Sequence, residues 1–482
     1  MSENGRVYQL MVPGAKSNAP NRKVFAPFDN SYIASVAGSD LQTVEKALEN
    51  AYKLFRDRKS WIPKYKRIEI LSRTAELMKV DINDLAIEAA REGGKPLVDS
   101  IIEVERAISS IEVCVEVLKS ESGEVIPMNI NLASANRIAM TQPEPIGVVV
   151  AVSAFNHPLN LIAHQVGPAV AAGCPVIVKP AEDTPISCMR FVELLYKAGL
   201  PEGWCQAVVT EDLEAAQALV TDSRVGFFSF IGSPGVGWKL RSLLAPGTRC
   251  ALEHGGAAPV IVAKDAEMTS MVEGLLKGGF YHAGQVCVSV QRVLVDESKV
   301  EELSSVLSEK ASGLIVGDPT KPETQVGPLI RPSEVKRVDE WVKEAEKSGG
   351  KIMTGGAQIS DSCYRPTVIL NAPDNVNVLR KEIFGPVVCI NSYKDLDDAI
   401  YKANDLPFAF QASVFTSNID FAMKVYTELD ASAVMINDHT AFRVDWMPFA
   451  GSRQSGHGVG GIPYTIHEMQ THKMMVLKSQ SL

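Results

Sequence analysis

The sequence predicts an α/β protein built on two parallel β-sheets, each covered by helices on both faces. From Ile146 onward, short and wholly apolar runs such as GVVVAV and PVIVKP alternate with helical segments. Strands that are apolar on both faces are typical of a parallel sheet buried between helical layers. The alternation restarts after Gly255 and Gly256 with PVIVA and QRVLV, which predicts a second α/β unit.

The part of the chain before the first parallel strand is predicted to contain helices and a ribbon. Residues 1–25 are polar and contain proline, so we expect a loosely structured lead-in, with regular structure beginning near Asp40. Three segments then have helical spacing of apolar residues: LQTVEKALENAYKLF, KRIEILSRTAELMKV and EVERAISSIEVCVEVLK. Residues 122–144 alternate in the manner of antiparallel strands, and a protruding ribbon of this kind often serves assembly.

The composition is that of a globular protein with several folding units. The chain has 482 residues, of which 46% are hydrophobic and 22% charged. At roughly 150 residues per domain, this length predicts more than one domain. Lys and Arg number 48 against 57 Asp and Glu, which gives a net charge of −9. The acidic balance argues against nucleic acid and anionic membrane surfaces as partners.

Cysteine use and the apolar segments favour a cytoplasmic protein. The eight cysteines are scattered, with no CxxC pair, as is usual in reduced compartments. No apolar run reaches the roughly 18 residues of a transmembrane helix. The N-terminal segment also lacks the apolar core of a signal peptide. We therefore expect a cytoplasmic location and no membrane anchor.

Two glycine- and proline-rich segments follow apolar strands, where open α/β sheets bind ligands. The segment from Gly232 to Gly237 opens a helix, so its amides are candidates for binding a phosphate, although a tight structural turn explains the same residues. Lys179 and Glu182 stand at the end of another strand, where they are candidates for holding ribose hydroxyls. The alternative for this second segment is a solvated loop that only caps the next helix.

Two further residues have side chains suited to catalysis. Cys287 follows a helix and precedes the strand QRVLV, although a lone cysteine is usually a small buried hydrophobe. Glu253 ends an apolar run and is followed by His254 and two glycines, where a cap or a salt-bridge partner is the alternative. The eight histidines do not form a spacing with metal-ligand value, so no metal site is predicted.

In chain order, these segments resemble the aldehyde dehydrogenase superfamily, and the resemblance extends from about Asp40 to Lys473. Several motifs of that family have counterparts here: Pro145–Val149 with Phe155–Pro158, Lys179–Glu182 with Thr184 and Pro185, Phe230–Ser233 with Gly237, Leu252–Gly256, Phe280 with Gly284–Cys287, Lys381–Pro386, and Pro448–Phe449 with Ser455 and Gly456.

The resemblance implies an aldehyde dehydrogenase-like architecture of three parts. A Rossmann-type NAD-binding domain would comprise residues 1–121 and 145–253, and an α/β catalytic domain residues 254–462. Residues 122–144 and 463–482 would form an oligomerisation ribbon and tail. This arm implies a homodimer or a dimer of dimers, and the sequence does not choose between them.

The resemblance also implies NAD-dependent oxidation of an aldehyde to a carboxylic acid. Cys287 would attack the aldehyde, Asn156 would stabilise the resulting oxyanion, and Glu253 would activate the water that hydrolyses the thioester. Acylating family members generally lack the glutamate, so Glu253 favours release of a free acid. An acylating or reductive enzyme and a catalytically silent structural relative are the alternatives.

The cofactor implied by the resemblance is NAD, with NADP possible. A glutamate at position 182 accepts hydrogen bonds from ribose hydroxyls and would repel a 2′-phosphate. The residues expected to bind the cofactor by family resemblance are Lys179, Glu182, Gly232, Ser233, Gly237, Glu382 and Phe384.

The expected substrate pocket is partly polar, which suits a small polar, aromatic or anionic-tailed aldehyde. One interpretation of Arg443 is that it holds an anionic tail, with His157 or His164. The other interpretation is that Arg443 pairs with Asp445 and shapes the loop. The motifs GQVCVSVQR and RVDWMPF look nearest to the lactaldehyde and small functionalised aldehyde branch. The pocket residues expected by resemblance are His157, Leu161, His164, Val286, Val288, Arg443 and Phe449.

The sequence departs from the usual family pattern at a few positions near these motifs. His254 replaces a common leucine directly after the expected base, and His282 replaces a common asparagine before the nucleophile. Gly460 stands at a frequently acidic position, which puts in doubt any proton relay through a second buried acid. None of these departures removes a group expected to be catalytic.

Overall fold

Two largely parallel β-sheets form the body of the protein in a computed structural model that describes residues 6–16 and 21–482. The first sheet has six strands and the second has seven. A three-stranded antiparallel ribbon, a three-stranded N-terminal sheet and a two-stranded sheet complete the set. The predicted α/β fold class is confirmed.

The strands are, in chain order, β1 (Arg6–Tyr8), β2 (Arg22–Phe25), β3 (Tyr32–Val36), β4 (Val125–Ile126), β5 (Arg137–Pro145), β6 (Val148–Val152), β7 (Val176–Lys179), β8 (Cys205–Ala207), β9 (Val225–Ile231), β10 (Arg249–Glu253), β11 (Ala258–Val262), β12 (Val290–Asp296), β13 (Lys351–Thr354), β14 (Thr367–Leu370), β15 (Val387–Tyr393), β16 (Phe408–Ala409), β17 (Gln411–Phe415), β18 (Ala433–Ile436), β19 (Ser452–Arg453), β20 (Gly456–His457) and β21 (Gln470–Lys478).

The α-helices are, in chain order, α1 (Leu41–Arg56), α2 (Lys64–Val80), α3 (Ile82–Gly93), α4 (Leu97–Ser120), α5 (Asn160–Ala172), α6 (Ile186–Lys197), α7 (Leu213–Thr221), α8 (Pro234–Ser242), α9 (Met268–Phe280), α10 (Val300–Ser312), α11 (Pro332–Lys347), α12 (Asn377–Arg380), α13 (Leu396–Asn404), α14 (Ile419–Glu428) and α15 (Ile462–Glu468).

The first sheet has the strand order β20-β10-β9-β6-β7-β8, and only β20 runs antiparallel to its neighbour. The chain moves from β6 to β7 and β8, and then returns to place β9 on the other side of β6. The order therefore reverses between β6 and β9, and open α/β sheets bind ligands beside such a reversal. The loops that follow Val152 and Ile231 begin at this point.

Local sequence explains the central strand and the helix that follows it. Val148 to Ala151 in β6 are fully buried, as the wholly apolar run predicts for a strand between two helical layers. Helix α5 ends at Gly173, whose φ of 85° gives the left-handed C-cap that glycine adopts at low cost.

The second sheet has the order β13-β14-β15-β12-β11-β17-β18, in which only β13 is antiparallel. Its order reverses between β11 and β17. Cys287 lies in the loop between α9 and β12, and therefore at the amino end of a strand of this sheet. Strand β20, which comes after all strands of the second sheet along the chain, returns to pair with β10 of the first sheet.

The ribbon consists of β21, β5 and β4. Strands β5 and β21 pair antiparallel over nine residues each, from Gln470 opposite Pro145 to Lys478 opposite Arg137. Several apolar side chains of the ribbon are exposed to solvent. Single exposed apolar residues are normal on a protein surface, but a group of them on one element marks an interaction surface. The exposed residues are Val125, Met140, Met474, Met475, Val476 and Leu477.

The expectation that regular structure begins near Asp40 is wrong. Strands β1, β2 and β3 precede that residue and form their own sheet. These strands are stabilised because Tyr8, Val24 and Val36 are buried in the core beside the first sheet. The sequence did not predict them because strands this short, in a polar segment, have too few apolar residues to form a recognisable pattern. The parts of the expected lead-in at residues 1–5 and 17–20 lie outside the described residues.

A buried ion pair anchors the loop between β6 and α5. The Lys95 ammonium donates to the Glu103 carboxylate, and both residues are almost completely buried. The other Glu103 oxygen accepts the backbone N–H groups of Leu159 and Asn160 at 2.9 and 3.0 Å. Since those amides belong to the start of α5, Glu103 caps this helix from α4.

No helix within residues 6–16 and 21–482 is long and apolar enough to cross a bilayer. The eight cysteines are all free thiols.

We expect Glu103→Ala to lower the free energy of unfolding by about 3 to 5 kcal/mol, because it leaves the Lys95 charge buried without its partner. Chemical unfolding followed by far-UV circular dichroism measures the change. Lys79→Ala is the matched control, since its pairs with Glu76 and Glu112 are exposed and weak. Equal midpoints for Glu103→Ala and the wild type would contradict the anchoring role.

Candidate active site

A cavity of about 550 Å³ lies between the carboxyl edge of the first sheet and the loop before β12 that carries Cys287. Most residues expected at a catalytic or binding site line this cavity: Asn156, His157, Leu161, His164, Gly232, Ser233, Glu253, Val286, Cys287, Val288, Glu382, Phe384, Arg443 and Phe449. Lys179, Glu182 and Gly237 are the expected residues that do not line it.

The turn before Cys287 has an unusual backbone conformation. His282 and Ala283 have φ values of 49° and 54°, and Gly284 follows with 68°. Left-handed conformations are uncommon for residues with a side chain, and such strain persists only where the surroundings fix it. Gly284 approaches the Gly385 carbonyl so closely that a Cβ at this position would overlap it. The loop that presents Cys287 is therefore rigidly held.

Cys287 lies in a small apolar cluster at the cavity wall, against Val286, Val288, Phe410 and Phe449. Burial raises the pKa of its thiol to about 12, and the Arg443 guanidinium acts in the opposite direction. The thiol is therefore protonated at neutral pH in the free protein. A nucleophilic role requires a base that removes this proton.

Asn156 connects the loop after β6 to the loop that carries Cys287. Its side-chain Nδ2 donates to the Gln285 carbonyl at 2.9 Å, and the residue is 4% exposed. Gln285 is itself fixed, because its Nε2 donates to the Pro328 carbonyl and its Oε1 accepts the Ile330 amide. One N–H of the Asn156 amide remains available on the cavity side.

Glu253 ends β10, and its carboxylate packs directly against Gly460. A Cβ on Gly460 would overlap the Glu253 carboxylate, so this orientation requires glycine at position 460. Gly460 also exchanges two backbone hydrogen bonds with Phe449, of 3.0 and 2.7 Å. Burial raises the pKa of Glu253, and Arg443 opposes the rise. A carboxylate with a raised pKa is suited to act as a general base.

Glu382 and Phe384 line the same cavity as Glu253. The Glu382 carboxylate packs on Gly255, where a Cβ would overlap it, and its Oε1 has no hydrogen-bond partner among the described residues. Burial raises the pKa of Glu382 to about 8. The Phe384 ring contacts Phe155 edge-to-face, with centroids 5.8 Å apart.

Lys179 and Glu182 lie beside the cavity at the end of β7. Burial lowers the pKa of Lys179, and Glu182 raises it. Glu182 also contacts Arg22, whose Nη2 lies 3.3 Å from its carboxylate. The cavity wall passes close to this pair at Ala181 and Asp183.

The segment from Gly232 to Gly237 forms a turn that opens α8, as expected, and we call it the 232–237 turn. Ser233 is the N-cap residue, but its hydroxyl does not cap the helix and lines the cavity. Gly237 departs from the expectation, since it faces the buried ring of His254 and not the cavity.

The substrate end of the cavity is organised by the carboxylate of Asp445. Arg106 from α4 donates two hydrogen bonds to it, at 2.6 and 3.1 Å, and His164 from α5 lies 2.7 Å away through Nε2. Burial raises the pKa of Asp445, but His164 and Arg106 outweigh this and hold the pKa well below its usual range. Asp445 is therefore already fully engaged.

Arg443 is buried in the same place and has few partners. Its Nε lies 3.9 Å from Asp445 and makes no hydrogen bond within the described chain. Its Nη2 lies 3.4 Å from His164 Nδ1, and its guanidinium stacks 3.4 Å above the centre of the Phe449 ring. The predicted pairing of Arg443 with Asp445 is therefore a long ion pair, and the hydrogen bonds to Asp445 come from Arg106 and His164.

His157 has a different environment from His164. Its Nδ1 accepts from the Lys95 ammonium, and burial with the Lys95 charge holds its pKa well below the usual range. His157 is therefore a neutral wall residue, whereas His164 contacts Arg443.

Arg106, Lys95 and Glu103 are site residues that sequence reasoning missed. Arg106 lies 339 positions from Asp445, so no local spacing connects them. The one available signal was the run of charged residues within the apolar helical pattern of α4.

The described residues contain no group of three or more His, Cys, Asp or Glu side chains that could hold a metal ion.

Comparisons with known proteins agree with this geometry. The chain is 38% identical over 471 residues to 3-sulfolactaldehyde dehydrogenase of Priestia aryabhattai, with 98% of each chain covered. It is 34% identical to lactaldehyde dehydrogenase of Methanococcus maripaludis, over 94% of this chain and 96% of that one. The solved structure of glyceraldehyde-3-phosphate dehydrogenase from Methanocaldococcus jannaschii, complexed with NADP, matches with a TM-score of 0.91 at 32% identity, over 96% of this chain and 100% of that one.

The sequence profile described as the aldehyde dehydrogenase family matches residues 15–475. This range includes every segment whose motif resembled that family. The fold, the cavity and the relatives agree over almost the whole chain, and the protein belongs to the aldehyde dehydrogenase family.

Proposed function

We propose that this enzyme oxidises a small aldehyde with an anionic tail to the carboxylic acid, with NAD or NADP as hydride acceptor. The observation that carries the substrate class is Arg443, a buried guanidinium whose Nε has no hydrogen-bond partner among the described residues and lies 3.9 Å from Asp445. A buried cation with unused donors is costly unless an anion completes it. The tail of a substrate supplies such an anion.

The neighbours of Arg443 support an anion site at this place. Asp445 is engaged by Arg106 and His164, and Glu253 makes no side-chain hydrogen bond to Arg443. Carboxylate, sulfonate and phosphate groups all match the planar donors of arginine. The names of two relatives, 3-sulfolactaldehyde dehydrogenase and glyceraldehyde-3-phosphate dehydrogenase, also contain anionic groups. Lactaldehyde, in the name of the third, is neutral.

Catalysis begins with the thiol of Cys287. Loss of its proton gives a thiolate that attacks the aldehyde carbon and forms a tetrahedral thiohemiacetal. The free N–H of the Asn156 amide and the backbone N–H of Cys287 donate to the oxyanion. One such donor is worth about 3 to 4 kcal/mol in related sites. A bound dinucleotide would supply the hydride acceptor, and loss of hydride from the carbon of this adduct would leave a thioester on Cys287.

Glu253 completes the reaction by hydrolysis. Its carboxylate removes a proton from water as the water attacks the thioester carbon, the C–S bond breaks, and the acid leaves. The absent side chain of Gly460 leaves room for the Glu253 carboxylate. This step distinguishes a hydrolytic enzyme from the acylating alternative.

The residues of the cavity fit a dinucleotide. The unpartnered Glu382 Oε1 is suited to a ribose hydroxyl, and the Ser233 hydroxyl at the start of α8 is suited to the pyrophosphate. Phe384 forms one wall beside Glu382. Lys179 and Glu182 would hold the adenosine ribose, and the negative charge of Glu182 favours NAD over NADP.

The fold suggests how these parts are organised. Residues 1–121 and 145–253 would form the NAD-binding domain, residues 254–462 the catalytic domain, and residues 122–144 with 463–482 the oligomerisation arm. The exposed apolar side chains of the ribbon would be covered in a homodimer or a dimer of dimers. The free thiols are consistent with a reducing location such as the cytoplasm.

We expect Cys287→Ala to abolish NADH formation, and Glu253→Gln to retain one rapid turnover but lose steady-state release of acid. The reason is that Cys287 forms the thioester and Glu253 hydrolyses it. Stopped-flow absorbance at the NADH band separates the burst from the steady state. Undiminished turnover by Cys287→Ala would refute the mechanism. Turnover by Glu253→Gln that depends on added coenzyme A would favour the acylating alternative.

We expect Arg443→Gln to lower kcat/KM for anionic-tailed aldehydes by about 10- to 100-fold, since hydrogen bonds to charged groups are worth about 1.5 to 3 kcal/mol. Neutral aldehydes of equal length should change little. Initial rates with a matched pair, such as succinic semialdehyde and butanal, measure the difference. Arg6→Gln is the control variant, because Arg6 is half exposed, pairs with Glu193 and does not line the cavity. An equal loss for both aldehydes would exclude an anion site.

We expect Val476→Asp to weaken self-association, because it places a charge among the exposed apolar side chains of the ribbon. Sedimentation velocity at several concentrations distinguishes the 52.2 kDa chain from its multiples. Leu213→Asp on α7 is the control, since Leu213 is an isolated exposed apolar residue outside the ribbon. A wild-type protein that sediments as a monomer at all concentrations would refute the assembly.

A further inference from the structure

His254 occupies an unusual place beside the cofactor end of the cavity. It directly follows Glu253 at the end of β10, and its side chain turns under the start of α8. The residue is 2% exposed. Its Nδ1 lies 2.8 Å from the carbonyl of Gly232, so Nδ1 carries the hydrogen and donates it. Its Nε2 has no hydrogen-bond partner among the described residues.

The ring of His254 is enclosed by the 232–237 turn and its flanks. It packs between Phe230, with centroids 5.7 Å apart, and Trp238, with centroids 6.0 Å apart. Its edge faces Gly237 so closely that a Cβ there would overlap two atoms of the imidazole. The absence of a side chain at Gly237 therefore makes room for His254.

His254 thus contacts both ends of the 232–237 turn. A hydrogen bond fixes the Gly232 carbonyl, and close packing sets the position of Gly237 in the first turn of α8. Ser233 lies between them and lines the cavity. A change at His254 would therefore act on the turn at both ends.

We propose that His254 is a positioning residue that fixes the 232–237 turn for the pyrophosphate of the dinucleotide. The proposal rests on the proposed function, since it requires that the cofactor binds at this turn. His254 acts through Gly232 and Gly237, and its main effect is on cofactor affinity.

Two substitutions at position 254 separate the hydrogen bond from simple packing. The side-chain N–H donor of Asn is bonded to Cγ, as Nδ1 is in histidine, so Asn can keep the hydrogen bond to Gly232. Leu has no side-chain donor. We expect His254→Leu to raise the Kd for NAD by about three- to tenfold, as the loss of one buried hydrogen bond implies. His254→Asn should stay within about twofold of the wild type. At saturating NAD, kcat should stay within about twofold for both variants.

A double-mutant cycle tests the packing between His254 and Gly237. Gly237→Ala should weaken NAD binding in the wild type, because the added methyl group overlaps the imidazole. The same change should cost less in the His254→Asn background, where the ring is gone, although the Phe230 ring at 2.9 Å still limits the recovery. Gly235→Ala adds the same methyl group in open space and controls for folding by its thermal midpoint.

Isothermal titration of the full-length protein with NAD gives each Kd, and steady-state rates give kcat. An unchanged Kd in His254→Leu, or additive effects of Gly237→Ala and His254→Asn, would overturn the positioning role. A fall in kcat with unchanged Kd would also overturn it. A wild-type protein that binds neither NAD nor NADP would instead refute the proposed function itself.

Discussion

The buried carboxylate of Asp445 is the interaction on which the substrate end of the cavity depends. It receives Arg106 from α4 and His164 from α5, and it belongs to the loop that follows β18 in the second sheet. A single carboxylate therefore joins elements from both halves of the protein at this end of the cavity. Because Arg106 and His164 make the hydrogen bonds to Asp445, the Nε of Arg443 stays 3.9 Å from that carboxylate and makes no hydrogen bond within the described chain.

Helix α4 carries a row of charged side chains that connects this end to the rest of the site. Asp99, Glu103 and Arg106 lie about one turn apart, and each is paired with a different element: Lys277 on α9, Lys95 before α4, and Asp445. The Lys95–Glu103 pair is fully buried, and a pair of this kind adds little to net stability although breaking it is costly. Together these pairs fix the position of the loop that carries Asn156 relative to the end of the cavity that contains Asp445.

Much of the fold could be predicted because local patterns determine it. The apolar run of β6 and the C-terminal glycine of α5 are signals within a few residues of the structures they specify. The positions of Cys287, Glu253 and Asn156 at one cavity followed from family motifs and not from spacing. The N-terminal strands were missed because their burial depends on contacts with distant residues. Arg106 was missed as the partner of Asp445 for the same reason. Gly237 was predicted to bind the cofactor, whereas the structure places the His254 ring where its side chain would be.

The charge of Arg443 acts on both Cys287 and Glu253. Burial raises the pKa of both Cys287 and Glu253, and Arg443 opposes the rise at each. An anionic tail bound to Arg443 would offset its charge, so both pKa values would rise together. A higher pKa disfavours the free thiolate but makes the Glu253 carboxylate a stronger base. The same contact would thus disfavour ionisation of Cys287 and favour activation of water by Glu253, so the two steps of the proposed reaction would respond in opposite directions to the charge of the tail.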